Sequence, residues 1–131
     1  SNPISNPTYD NTVIFSNQDY TTVKNCNISI GVSGMGFGIR FVNNFNNSIE
    51  NNIIQPSLGG IYLSPSSNNI IKDNKITNNL YGLYFDSGSR NNNLSNNNLC
   101  NNQNFCSSDQ TDLGGNTCSP NTCGITCNAC A

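Results

Sequence analysis

Ile49, Ile71 and Leu94 stand 22 and 23 residues apart, and Ile54, Ile76 and Leu99 repeat the same steps five residues further on. Ile39, Ile61 and Leu83 form a third column at 22, and Phe41, Leu63 and Phe85 a fourth. Gly38, Gly60 and Gly82 precede the third column at the same step. An apolar pattern recurring at this period marks units that bury their faces on one another. Within each unit the pattern has period two: Ile61 and Leu63 flank Tyr62, and Leu83 and Phe85 flank Tyr84. That is the signature of a strand with one face inward. An earlier unit, from Val23 to Ile28, matches Ile49 to Ile54 at an offset of 26. Its turn therefore carries four extra residues, expected within Gly31–Gly36.

The segments between the strands are rich in Asn, Ser and Gly. The chain has 29 Asn and 16 Ser but only two Ala. Good helix formers are scarce, while Asn tolerates the left-handed backbone that turns require. No Asn-Gly pair occurs, and Asn-Gly is the strongest two-residue hairpin signal. Each strand is thus expected to lie parallel on its equivalent one coil earlier. The regular aliphatics and a formal charge of only −2 argue against disorder. The expected fold is all-β: a right-handed parallel β-helix (β-solenoid) of about four to five coils with a cysteine-rich C-terminal cap. Residues 1–19 are read as an N-terminal capping or subunit-linking strand, 20–106 as the coils and 107–131 as the cap. Asn52, Asn74 and Asn97 share one column and are expected to form an inward ladder, with Cys26 in the same column. Stacked amides satisfy one another, where an unpaired buried group would cost about 1–3 kcal/mol.

The run Ser66-Ser67-Asn68-Asn69-Ile70-Ile71-Lys72-Asp73-Asn74-Lys75-Ile76, followed by Tyr81-Gly82-Leu83-Tyr84-Phe85, resembles the parallel β-helix repeats of the carbohydrate-binding and sugar-hydrolase (CASH, NosD-like) group. The resemblance covers about residues 20–106. It implies the fold and says little about function, since such coils serve lyases, hydrolases, adhesins and surface proteins alike. Its copper-linked members would imply a metal site. Copper favours His, Met and Cys. His is absent and Met35 is the single Met, so no metal and no cofactor is expected.

Six of the seven cysteines, Cys100, Cys106, Cys118, Cys123, Cys127 and Cys130, lie near the C-terminus. That density points to disulfides and to a secreted, extracellular or cell-surface location. The six cysteines allow 15 pairings, among which the sequence does not choose. The alternative is a zinc site on Cys118, Cys123, Cys127 and Cys130. Cys26 is expected to be a buried free thiol. A sequence pI of about 4.5 speaks against nucleic-acid partners, and no apolar run reaches the roughly 18 residues of a membrane helix. The start at Ser1 suggests a mature product or a fragment.

Polysaccharide hydrolysis needs paired carboxylates. Among Asp10, Asp19, Glu50, Asp73, Asp86, Asp109 and Asp112, no two from the coils stack as neighbours, so catalysis is not expected. Arg40, Tyr62 and Tyr84 form an outward column at steps of 22, a candidate ligand platform for sugars or a protein. Asn46, Asn27 and Asn93 open the three N-x-Ser sequons and are glycosylation candidates, Asn46 foremost because it sits in a turn. A short solenoid exposes strand edges at its ends. The leading expectation is therefore a secreted structural subunit that self-associates head-to-tail into a homopolymer, either a filament or a surface layer. The alternative is a carbohydrate-binding or adhesin module, and a lyase or hydrolase ranks below both.

Overall fold

The computed structural model describes residues 3–5, 13–29, 36–55, 59–119 and 123–130. A strand β1 (Pro3–Ser5) precedes five coils of three strands each. The first coil is β2 (Val13–Ser16), β3 (Thr22–Lys24) and β4 (Asn27–Ser29). The second is β5 (Phe37–Val42), β6 (Ser48–Glu50) and β7 (Ile53–Ile54), and the third is β8 (Gly59–Ser64), β9 (Ile70–Lys72) and β10 (Lys75–Ile76). The fourth is β11 (Tyr81–Phe85), β12 (Asn93–Ser95) and β13 (Asn98–Leu99), and the fifth is β14 (Gln103–Cys106), β15 (Thr111–Gly114) and β16 (Thr117–Cys118). Three parallel sheets result: β1-β4-β7-β10-β13-β16, β2-β5-β8-β11-β14 and β3-β6-β9-β12-β15. No helix among the described residues is long and apolar enough to cross a membrane.

Register follows the sequence columns. Ile39 pairs with Ile61 and Ile61 with Leu83; Ile49 pairs with Ile71 and Ile71 with Leu94. These residues are fully buried, together with Phe41, Leu63, Phe85, Ile28, Ile54 and Ile76. The interior is thus a set of vertical aliphatic files, each fully desolvated side chain contributing about 1.5–3 kcal/mol. The glycine column has a packing cause. A Cβ at Gly60 would run into Ile76 and the carbonyl of Gly82, and one at Gly38 into Ile54.

Two boundaries differ from the sequence reading. β2 is a full member of the coil, with Val13 on Ile39 and Phe15 on Phe41, so the first coil begins inside the segment read as an N-terminal appendage. At the other end, β15 and β16 continue the sheets on β12 and β13. The coils therefore run to Cys118 rather than to 106, and the plug is confined to the residues beyond Cys118. The four-residue insertion lies between Ile28 and Ile39, which are 11 apart where Ile54 and Ile61 are 7 apart; residues 31–35 of the span expected to hold it lie outside the described residues.

The plug closes the lower end. Cys123 and Ile125 are buried against the last coil. Asn128 bridges Thr117 in parallel, and the amide of Gln110 donates to the carbonyl of Cys123. Three disulfides staple it: Cys100–Cys130, Cys106–Cys123 and Cys118–Cys127. This pairing leaves no four thiolates for zinc. Cys26 is free, and it is half-buried rather than buried.

Candidate binding surface

Asn52, Asn74 and Asn97 come together as one continuous rail inside the corner between the β3 and β4 sheets. The amide N–H and side-chain N–H of Asn52 both donate to Asn74 Oδ1 (2.9 and 3.0 Å), and those of Asn74 to Asn97 Oδ1 (3.1 and 3.1 Å). The rail runs on to Asn116 and is headed by the Cys26 amide on Asn52 Oδ1. A second rail, which the sequence reading did not single out, passes through Thr21, Asn47, Asn69, Asn92 and Gln110. Its sequence signal is the pair series Asn46-Asn47, Asn68-Asn69 and Asn91-Asn92 at steps of 22 and 23. These amides are consumed by one another and offer nothing to a ligand.

The outer face of the β2 sheet differs. Arg40 pairs with Tyr62, Tyr62 with Tyr84, and Tyr84 with Phe105. Each sits between two inward residues and so points out. The Tyr62 and Tyr84 rings stack at 5.4 Å with planes 7° apart. Arg40 places its guanidinium carbon 5.0 Å from the Tyr62 centroid, and Phe105 lies 5.0 Å from Tyr84 on the next coil. Phe37 packs on Tyr62 at 4.9 Å, filling the space that Gly59 leaves by lacking a side chain, and Tyr81 meets Tyr84 edge-on at 5.2 Å. Phe37, Tyr81 and Phe105 join the column that Arg40, Tyr62 and Tyr84 begin. Phe105 sits 21 rather than 22 residues beyond Tyr84, because the register shifts between β11 and β14, so a strict period passes over it.

The geometry restricts what this column can do. Stacked rings cover one another's faces, so the surface presents ring edges, tyrosine hydroxyls and the guanidinium. Asp86, just past β11, accepts from the Ser87 amide (2.7 Å), the Tyr62 hydroxyl (3.2 Å) and the Ser64 hydroxyl (3.2 Å). The Ser87 amide foremost, against desolvation and with help from the Tyr62 and Ser64 hydroxyls, holds its carboxyl below the usual carboxylate range. Arg40 Nε is buried and has no hydrogen-bond partner among the described residues.

The remaining candidates are dispersed. Asn46 is exposed in a turn with φ of 59°, whereas Asn27 on β4 and Asn93 on β12 are half-buried. Glu50 and Lys72 approach to 3.9 Å, a surface ion pair of little energetic weight.

A family model described as "Periplasmic copper-binding protein (NosD)" matches residues 1–129. Copper takes His, Met or Cys donors. His is absent from the sequence, Met35 lies outside the described residues, and six cysteines are committed to disulfides. No group of three or more His, Cys, Asp or Glu converges among the described residues, so the donor set does not fit copper. No curated protein and no solved structure matches the chain. The family match spans nearly its whole length and agrees with the parallel coils, and the chain belongs to the NosD family of β-helix proteins.

Proposed function

We propose that the chain is a non-catalytic, extracytoplasmic β-helix module that binds glycan chains along the outer face of the β2 sheet. A periplasmic family and three disulfides agree on an oxidising compartment outside the cytoplasm. The observation that carries the binding reading is the column Arg40–Tyr62–Tyr84–Phe105, which runs along the solenoid axis over four successive coils. A linear polymer laid along it would meet rungs about 4.8 Å apart, three of them polar (Arg40, Tyr62 and Tyr84) and the fourth the apolar ring of Phe105.

The head-to-tail filament asks for two open ends. The stapled plug occupies the end at which the next copy would dock, which weighs against that assembly. Electron microscopy of the oxidised chain separates the two readings, since polymers would favour the filament. The binding test is a glycan array probed with the parent chain, Arg40→Ala, and the Tyr62→Ala/Tyr84→Ala double variant. Loss of signal is expected in both variants, with folding checked by circular dichroism because each ring contact is worth about 0.5–1.5 kcal/mol. No binding by the parent, or equal binding by all three, overturns the proposal.

A further inference from the structure

The corner between the β2 and β3 sheets is turned in the same way in four coils. Tyr20, Asn46, Asn68 and Asn91 occupy equivalent places with φ of 59°, 59°, 60° and 59°. Asn adopts this left-handed conformation at little cost, whereas a bulky aromatic does not. In the first coil a tyrosine stands there nonetheless, and it is 82% exposed, so burial does not compensate. A strained residue held against solvent is the kind of outlier that marks a functional position.

A second observation lies directly beneath it. Tyr20 forms one wall of a groove of about 380 Å³ that Thr22, Asn46, Ser48, Asn68 and Ile70 also line. That volume lies in the range of small-molecule sites. No charged residue lines it. Ile70 is 41% exposed and adds an apolar patch. Unlike the buried rails, Asn46, Asn68, Thr22 and Tyr20 make no side-chain hydrogen bond among the described residues. An exposed aromatic ring above uncharged amides and hydroxyls is a constellation that takes a neutral sugar ring, with CH groups on the aromatic face and hydroxyls on the amides.

We propose that this corner is a saccharide site distinct from the aromatic column, with Tyr20 as its stacking residue and Asn46 and Asn68 as its polar contacts. Two sources could fill it with the same chemistry: a free neutral glycan, or a sugar carried by Asn46 itself, whose Asn46-Asn47-Ser48 sequon opens at the groove.

The test uses the full chain and the variant Tyr20→Asn, which restores the residue type of the other three coils. In one arm, unmodified chain from a non-glycosylating host is titrated with glucose, galactose, N-acetylglucosamine and their β-linked trimers. The side-chain amide resonances of Asn46 and Asn68 are followed by NMR. In the other arm, intact mass and peptide mapping are run on chain secreted by a glycosylating host. The expected result is either saturable shifts at Asn46 and Asn68 that weaken by about tenfold or more in Tyr20→Asn, or a sugar on Asn46 whose occupancy or order falls in that variant. In either case Tyr20→Asn should melt no lower than the parent, because it relieves the backbone. The proposal is overturned if no probe moves those amides and Asn46 is unmodified, or if Tyr20→Asn lowers the melting temperature and leaves binding untouched. The Tyr62→Ala/Tyr84→Ala variant should bind at this corner as the parent does, which separates the failure of one surface from that of the other.

Discussion

The asparagine excess has a stereochemical cause that works in pairs. At Asn51-Asn52, Asp73-Asn74 and Asn96-Asn97 the first residue takes positive φ and the second turns inward to carry a rung. Asn46-Asn47, Asn68-Asn69 and Asn91-Asn92 repeat the device at the next corner. The two members of a pair should respond differently to substitution. Asn74→Ala strands the backbone N–H of Asn52 and one of its two side-chain N–H groups, the other staying on the Val23 carbonyl, and it removes the donor to the Ile49 carbonyl (2.9 Å) at a site 2% exposed. At about 1–3 kcal/mol per stranded group, the loss should reach about 3 kcal/mol or more. It would be read as a lower urea midpoint at unchanged slope. Asn51→Ala leaves the rail intact and costs about 1–2 kcal/mol through the backbone, with the exposed Asn51 Nδ2 to Asn25 Oδ1 bond (2.8 Å) also lost, while Asn51→Gly loses only that exposed bond and is close to neutral. Equal costs at the two members would mean that the rail does not hold the corner. The Asn52 column is legible in the sequence because aliphatic columns flank it on both sides. The Asn47 column is just as periodic. The run from Asn43 to Asn47 offers four amides, however, and nothing in the residues says which of them points in.

At the level of elements, the middle coils are legible and the end coils only in part: Val23 to Ile28 shows in the first, whereas β2, β15 and β16 do not. β5 to β13 repeat with steps of 22 or 23, so their aliphatics align. β2 lies 26 residues before its equivalent, as β3 does, and its column is hidden because no earlier coil repeats it. In the last coil the step from β12 to β15 shrinks to 18 at Asn93–Thr111, and Asn104 and Cys118 stand inward in place of aliphatics. There the loss of hydrophobic content, made up by the stapled plug, erases the period. Asp112 joins this coil to the plug: one oxygen accepts from the Gly114 amide (2.8 Å) and Asn116 Nδ2 (3.0 Å), the other from the Thr126 amide (3.0 Å). The Gly114 amide foremost, then Thr126 and Asn116, hold its carboxyl below the usual range, with desolvation opposing. A depressed folded pKa contributes stability that is present above the unfolded value of about 3.9. It is lost as pH falls through the lower folded value. The Thr126 amide resonance should therefore shift in acid as the clamp protonates, and Asp112→Asn should abolish that transition. Identical acid profiles in parent and variant would remove Asp112 from the clamp.

On the scale of the whole molecule, the chain is a one-dimensional stack in which each coil leans on its neighbours and the ends are weakest. The plug takes the place of a sixth coil at one end: Ile125 and Cys123 cover the core, and Asn128 pairs with the edge of β16. Its own backbone contributes few ladder bonds, so its hold depends on the three crosslinks. Closing a loop of about 15 residues is worth about 3 kcal/mol in the chain-entropy account, and the Cys106–Cys123 bridge spans 17. Reduction by a dithiol should thus release the plug before it unfolds the coils. Native-state hydrogen exchange would show the Asn97 amide, bonded to Asn116, losing protection first. The Asn52 and Asn74 amides, in the interior of the stack, should stay protected until global unfolding. Freed of the plug, the edges of β14, β15 and β16 become a template for another chain, so sedimentation should show concentration-dependent association in the reduced sample and none in the oxidised one. Uniform loss of protection across all five coils would mean that the solenoid unfolds as a single unit and that the plug is no separate element. Association already present in the oxidised sample would place self-assembly at some other surface.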